Sequence, residues 1–246
     1  ARSAIESGHI AFKIAPFDEV STRICAQGEG ESAMRAGLDR ITAVREMIGP
    51  NKRLMVDCHW RFDEQTARKL NLVLANLGIH WVECPLPEVE SNIPALARLR
   101  YQCNEMGMHH AGLETSIGWD SFRPYCEGGA YDVVMPDIKY IGGIHELQRT
   151  AEESELLGIQ VAPHNPSGPI AHAVSLQIAR VLADFDLLEL QFSESPLFDQ
   201  LVATPFLPVQ NGLTKTPKGQ GLGVKLVDSI MEKNFECQTL EWGDAN

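Results

Sequence analysis

Seven short apolar runs, nearly every one carrying an ionisable residue at its C-terminal end, constrain this chain more than any other feature. They are "IAFKIAPF" (10–17), "RLMVDCH" (53–59), "HWVECPL" (80–86), "HHAGLE" (109–114), "DVVMPD" (132–137), "IQVAPH" (159–164) and "DLLELQF" (186–192). Between most of them lie stretches of helical periodicity at 32–48, 63–77, 93–106, 144–157 and 168–183. Several of these stretches stop at glycine: Gly49-Pro50, Gly78, Gly107 and Gly158. The segment "TSIGWDSFRPYCEGG" after Glu114 reads as a short helix. Strands alternating with helices at roughly 25–40-residue spacing mean βα units and a parallel sheet.

Right-handed crossovers leave two architectures, an open doubly wound sheet or a closed (β/α)₈ barrel. No glycine-rich phosphate turn follows a strand, which counts against the dinucleotide-binding version. His59, Glu83, Glu114, Asp137, His164, and Glu189 or Gln191 stand at the C-terminal ends of successive runs. Polar groups at the C-terminal mouths of many strands are what a barrel active site requires, so the barrel is expected. Seven strands are visible where eight are needed. Residues 1–8, "ARSAIESG", read as the last turns of a helix feeding the first strand, and the missing strand is expected upstream of residue 1. The barrel is expected to span 1–192. Residues 193–246, opening Pro- and Gly-rich ("ATPFLPVQNGLTKTPKGQGLGVKL"), are expected to form a tail packing back on the barrel or its cap.

Among 246 residues, 33 acidic side chains outnumber 21 basic ones, for a formal net charge of −12. That balance predicts no nucleic-acid partner, and an anionic ligand would need positive charge supplied locally by a metal or a few lysines. No apolar stretch approaches about 18 residues, so no membrane span is expected. Cys25, Cys58, Cys84, Cys103, Cys126 and Cys237 are scattered singly with no C-x-x-C pair. Reduced thiols and a cytoplasmic location are the expectation, against a disulfide framework or structural zinc.

Strand alternation puts Asp57 and His59 on one face and Cys58 on the other, and likewise Glu83 inward and Cys84 outward. Asp57, Glu83 and Glu114 then come from three successive strands and can converge on a hard cation, for which Mg²⁺ fits best. One acid at a strand end is commonly a cap; three in consecutive strands favour the metal. His164 ends the sixth run and Asp137 the fifth, an arrangement in which the carboxylate orients the imidazole as a general base. Lys13, inward on the first strand, can meet a substrate carboxylate or pair with an acid. His109-His110 at a strand entry and His172 within a helix read as structural. Cys58 and Cys84 point away from the mouth, and no serine lies in a G-x-S-x-G elbow.

The segments "MVDCH", "WVECPLPE", "GLET", "VMPDIKYIGGI", "APHNPSGPIA" and "LLELQF", in this order, resemble the enolase superfamily, mandelate racemase group. Within it the likeness is greatest to acid-sugar dehydratases of the galactonate type. The resemblance implies a (β/α)₇β barrel in which Asp57, Glu83 and Glu114 hold Mg²⁺. It implies that the ion binds a small-molecule carboxylate substrate and stabilises the enediolate left when the α-proton departs. His164 with Asp137 matches the family's base, His59 the acid for the departing β-hydroxyl, and Glu189 or Gln191 the strand-end group that hydrogen-bonds the enediolate. The group's Lys-x-Lys reads Lys13-Ile14-Ala15 here, which removes one base and disfavours two-base racemisation. The family's N-terminal capping domain has no counterpart upstream of residue 10. The implied activity is a hydro-lyase giving a 2-keto-3-deoxy acid, in a homo-oligomer. A racemase, epimerase or cycloisomerase, with His59 or Lys13 as second base, is the first alternative. A non-catalytic barrel fragment is the second.

Overall fold

A computed structural model describes residues 1–166, 168–183 and 185–228. Six strands, β1 (Ala11–Ile14), β2 (Arg53–Asp57), β3 (Trp81–Glu83), β4 (His109–Gly112), β5 (Val133–Val134) and β6 (Gln160–Val161), pair in parallel in chain order. Helix α1 (Arg2–Glu6) leads into β1; α2 (Thr22–Ala26), α3 (Gly30–Ala33) and α4 (Arg35–Ile48) follow it. After β2 to β6 come α5 (Glu64–Asn76), α6 (Ile93–Glu105), α7 (Trp119–Glu127), α8 (Ile144–Leu156) and α9 (Pro169–Ala179). A helix thus separates each pair of neighbouring strands, as parallel pairing requires. Among the described residues no helix is long and apolar enough to cross a membrane.

The period of two along each strand sorts its side chains into two cores. Leu54, Val56, Val82, Val134 and Val161 point outward and join Ile41, Leu70, Leu74, Leu96, Leu99 and Leu147 of the helices. Met55, Trp81, Ala111, Val133, Met135 and Ala162 point inward and fill the lumen. Local chemistry sets the helix boundaries. Asp63 caps α5 by accepting from the Thr66 amide at 2.8 Å, and Ser21 caps α2 through the Ile24 amide. Gly49, at φ 75°, ends α4 in a conformation that a side chain would resist.

The seventh run, 186–192, does not form a ladder strand, contrary to the count of seven. It follows β6 in parallel sense through a Phe185–Val161 bridge and the Glu189 amide, which donates to the Pro163 carbonyl at 3.4 Å. Its links to the other end of the sheet are ion pairs, Asp186 with Arg53 and Glu189 with Lys13. Among the described residues β1 pairs only with β2, so this run has no backbone partner on its far side. The segment after it returns to the barrel. Gln177 on α9 donates to the carbonyls of Pro217 and Leu222, the Gly212 amide donates to the Gly8 carbonyl, and His172 packs edge-on against Phe206. Cys25, Cys58, Cys84, Cys103 and Cys126 are buried free thiols, and Cys237 lies outside the described residues.

Candidate active site

The register Asp57↔Glu83↔Ala111 lines up β2, β3 and β4 so that two carboxylates finish their strands side by side and Glu114 follows three residues later. Carboxylate oxygens of Asp57, Glu83 and Glu114 lie within 4.8 Å of one another, and all three residues are buried. A cavity of about 660 Å³ at the C-terminal ends of the strands opens on this cluster through Asp57. Lys13, Asp57, His59, Trp81, His164, Glu189 and Gln191 are among the residues that line it.

The electrostatics of this cluster are unbalanced. Lys13 donates to Glu83 at 2.6 Å and lies 2.9 Å from Glu189, so one ammonium faces these two carboxylates with Asp57 and Glu114 close by. Burial pushes the Glu83 carboxyl well up, Lys13 opposing this and the neighbouring carboxylates adding to it. Burial and Asp57 push Glu114 up likewise. Burial alone would lower Lys13, but Glu83, Glu189 and Asp57 more than offset it and hold the ammonium well above its ordinary value. Oε2 of Glu114 is buried without a hydrogen-bond partner and lies 3.5 Å from His164 Nε2. Three converging carboxylates, one with an unused buried oxygen, form an oxygen donor set that fits a hard divalent cation.

Asp137, fully buried just after β5, accepts from the Lys139 amide through Oδ1 and faces His164 Nδ1 through Oδ2 at 2.8 Å. In that contact Nδ1 is the donor, which turns Nε2 toward the carboxylate cluster. Nε2 lies 3.8 Å from Glu189 as well. Of the two candidates on the seventh run, Glu189 is therefore the one inside the cluster, and Gln191 is exposed on the cavity's lining. Asn165 supports Glu189 by donating its amide to Oε2 and its side chain to the backbone carbonyl.

His59 reaches the mouth by a route that alternation does not describe. Strand β2 ends at Asp57, and His59 and Trp60 turn in left-handed backbone at φ 46° and 57°. The turn folds His59 back: its amide donates to Asp57 Oδ1, and Nε2 sits 2.6 Å from Asp57 Oδ2. That bond raises the imidazole's pKa, burial opposing it. Cys84 and Leu113 are left-handed too, at φ 45° and 72°. Each such non-glycine residue costs about 1–2 kcal/mol and persists only where its surroundings hold it.

Sequence reasoning missed Trp81, whose indole donates to Glu83 Oε2 at 2.9 Å. Alternation from Glu83 was the available signal, since residue 81 shares its face. It also missed Asn165, for which only adjacency to His164 offered a hint. Cys58 and Cys84 lie outside the cavity lining, and burial pushes both thiols far up, so neither is a nucleophile. His110 and His172 lie in packed surroundings, against Tyr131 and against Phe198 and Phe206.

Residues 1–230 match the family model described as enolase C-terminal domain-like. A D-gluconate/D-galactonate dehydratase of Picrophilus torridus is 28% identical over 95% of this chain and 57% of its own length. A D-xylonate dehydratase of Haloferax volcanii is 27% identical over 81% of the chain and 47% of its own. A D-galactarolactone cycloisomerase of Agrobacterium fabrum is 32% identical over 76% and 50%. The chain thus spans about half the length of the curated relatives it matches. Among solved structures, an enolase of the mandelate racemase subgroup from Agrobacterium tumefaciens superposes with a TM-score of 0.78 at 25% identity. The match covers 95% of this chain and 62% of that one.

Proposed function

Because this chain belongs to the enolase C-terminal domain-like family, we propose that it carries the catalytic barrel of a Mg²⁺-dependent acid-sugar dehydratase. The substrate would be an aldonate or aldarate and the product its 2-keto-3-deoxy acid. One observation carries the reading: three clustered carboxylates face a His164–Asp137 pair on one side and His59 on another. The dehydratases among its relatives support the reaction type, and residues 1–230 of the chain support the barrel alone.

Asp57, Glu83 and Glu114 would hold the ion. When bound, it supplies positive charge against the negative charge that builds on the substrate carboxylate as the α-proton leaves. His164 takes that proton at Nε2, with Asp137 holding the tautomer and stabilising the imidazolium. The Cα–H electron pair moves first into the substrate carboxylate and then forms the new Cα=Cβ bond as the β C–O bond breaks. His59, kept basic by Asp57, gives its proton to the departing hydroxyl, which leaves as water. The resulting enol ketonises to the 2-keto-3-deoxy acid. Lys13 stays an ammonium beside Glu83 and Glu189, positioned to meet a carboxylate oxygen and not to act as a base.

His164→Asn is expected to lower α-proton exchange by roughly 10²–10⁴-fold, the usual contribution of a general base. His59→Asn should block water loss while exchange persists. Dehydration by His59→Asn at the wild-type rate would remove His59 from the mechanism. A cycloisomerase among the relatives keeps isomerisation as the second reading. Reaction of an acid-sugar panel in D₂O separates the two: inverted, deuterated substrate with no keto acid would reject dehydration.

A further inference from the structure

The "WVECPLPE" segment ends in Glu88, a residue to which neither the motif reading nor the mechanism above gives work. Its carboxylate bonds to residues beside the three metal-ligand candidates. Oε1 accepts from the Leu113 amide at 2.7 Å and from the Tyr131 hydroxyl at 2.7 Å, with the Cys84 thiol donating at 3.8 Å. Oε2 accepts from the Trp60 indole at 3.0 Å. Three of those partners share a property. Trp60, Cys84 and Leu113 are all non-glycine residues in left-handed backbone. They also flank the ligand candidates: Trp60 follows Asp57 by three positions, Cys84 follows Glu83 directly, and Leu113 directly precedes Glu114.

We propose that Glu88 is a positioning residue that sets the spacing of Asp57, Glu83 and Glu114 by tying together the three strained turns that present them. Left-handed turns relax unless something holds them. Backbone bonds from the Trp60 amide to the Cys84 carbonyl and from the Cys84 amide to the Ala111 carbonyl link neighbouring turns pairwise, and one carboxylate bonded to all three adds the tie from Trp60 across to Leu113. The site around Glu88 is built for this. A methyl at Gly112 would lie 2.5 Å from Glu88 Oε1 and 2.6 Å from the Tyr131 ring, so glycine there is what admits the carboxylate and the phenol together. Burial pushes the Glu88 carboxyl up, and its four donors oppose that, Tyr131 foremost. Trp60 in turn stacks against the His59 ring at 6.2 Å, which extends the coupling to the proposed acid.

The inference rests on the proposed metal role of the three carboxylates, and its test separates the two. Mn²⁺ is titrated into the metal-free protein and followed by electron paramagnetic resonance, for wild type, Glu88→Ala, Glu88→Gln and Asp57→Asn. The Trp60 indole and Leu113 amide resonances are recorded without metal. Glu88→Ala should weaken Mn²⁺ binding by roughly 10–100-fold, the usual effect of losing a group that orients ligands. The same variant should shift both resonances and speed exchange at Leu113. Glu88→Gln keeps the shape and one acceptor, so it should fold even if the alanine variant does not, and should fall between the two. Asp57→Asn should lose binding while leaving the Leu113 amide protected. Either folded Glu88 variant binding Mn²⁺ within two-fold of wild type, with Leu113 still protected, overturns the positioning role alone. Wild type that binds no Mn²⁺ overturns the metal reading and this inference with it.

Discussion

His110 and Glu83 are both buried, and burial drives both toward their neutral forms. For His110 that means a pKa lowered to about 4. Its Nδ1 donates to the Ala130 carbonyl at 2.7 Å, while Nε2 is buried without a partner, so an added proton would have nowhere to bond. The sign follows: between about pH 4 and 6.5 the unfolded chain holds this proton and the folded chain does not. The contribution is complete above pH 6.5 and is lost as pH falls toward 4. From these values wild type should lose about 2 kcal/mol more stability than His110→Phe between pH 8 and pH 5, the carboxylates being common to both proteins. Urea unfolding at the two pH values measures this, and equal losses would show that His110 is not held neutral. At Glu83 the same desolvation is answered by Lys13, which sits on β1, 70 residues away in sequence.

Helix α4 and helix α5 carry two elements of local design that can be tested against each other. At Gly37 on α4 a methyl would run into the ring of Phe17, itself packed edge-on against Phe62 at 5.1 Å. Gly37→Ala should therefore destabilise by about 1–3 kcal/mol through overpacking, despite alanine's better helix propensity. Asp63→Ala removes the cap of α5 and should cost about 1 kcal/mol. Chemical denaturation of both variants ranks the effects; a Gly37→Ala protein as stable as wild type would mean that Phe17 moves aside freely. The cap is legible in the sequence, since Asp63 is the first residue of the helical stretch 63–77. The Gly37 contact is not, because nothing local brings residue 17 against residue 37. The shortest helices were also illegible, α2 and α3 having too few residues to show a period, whereas β5 and β6 stood out as apolar runs although each ladder is two residues long.

At the scale of the whole molecule, the barrel mouth concentrates negative charge in a chain already at −12. Asp57, Glu83, Glu114 and Glu189 gather around Lys13, so the metal-free fold carries repulsion that a cation would relieve. Mg²⁺ at 100 times its dissociation constant should stabilise the protein by about 2.7 kcal/mol through mass action. Asp57→Asn should abolish that gain and, lacking one repelling charge, be at least as stable as wild type without metal. Calorimetric melting of both proteins with and without Mg²⁺ checks this. An identical wild-type Tm in both conditions would sink the metal reading.

Six of the seven apolar runs carry ladder strands, and Asp57, Glu83, Glu114, Asp137 and His164 all reach the mouth. The sequence alone determined this much because burial and a side-chain period of two are local properties, readable wherever an apolar run meets an ionisable end. Tertiary structure decided the rest. Run 186–192 forms no ladder strand because its backbone meets β6 and the residues after it only at the Phe185–Val161 bridge and the Glu189–Pro163 bond. Glu189, not Gln191, enters the cluster because Lys13 draws it there. His59 turns onto Asp57 because the chain leaves β2 in a left-handed turn. Glu88 acquires three of its four partners from segments 25 to 43 residues away. These outcomes depend on which distant backbone or charge arrives alongside, and three-dimensional packing alone supplies that neighbour.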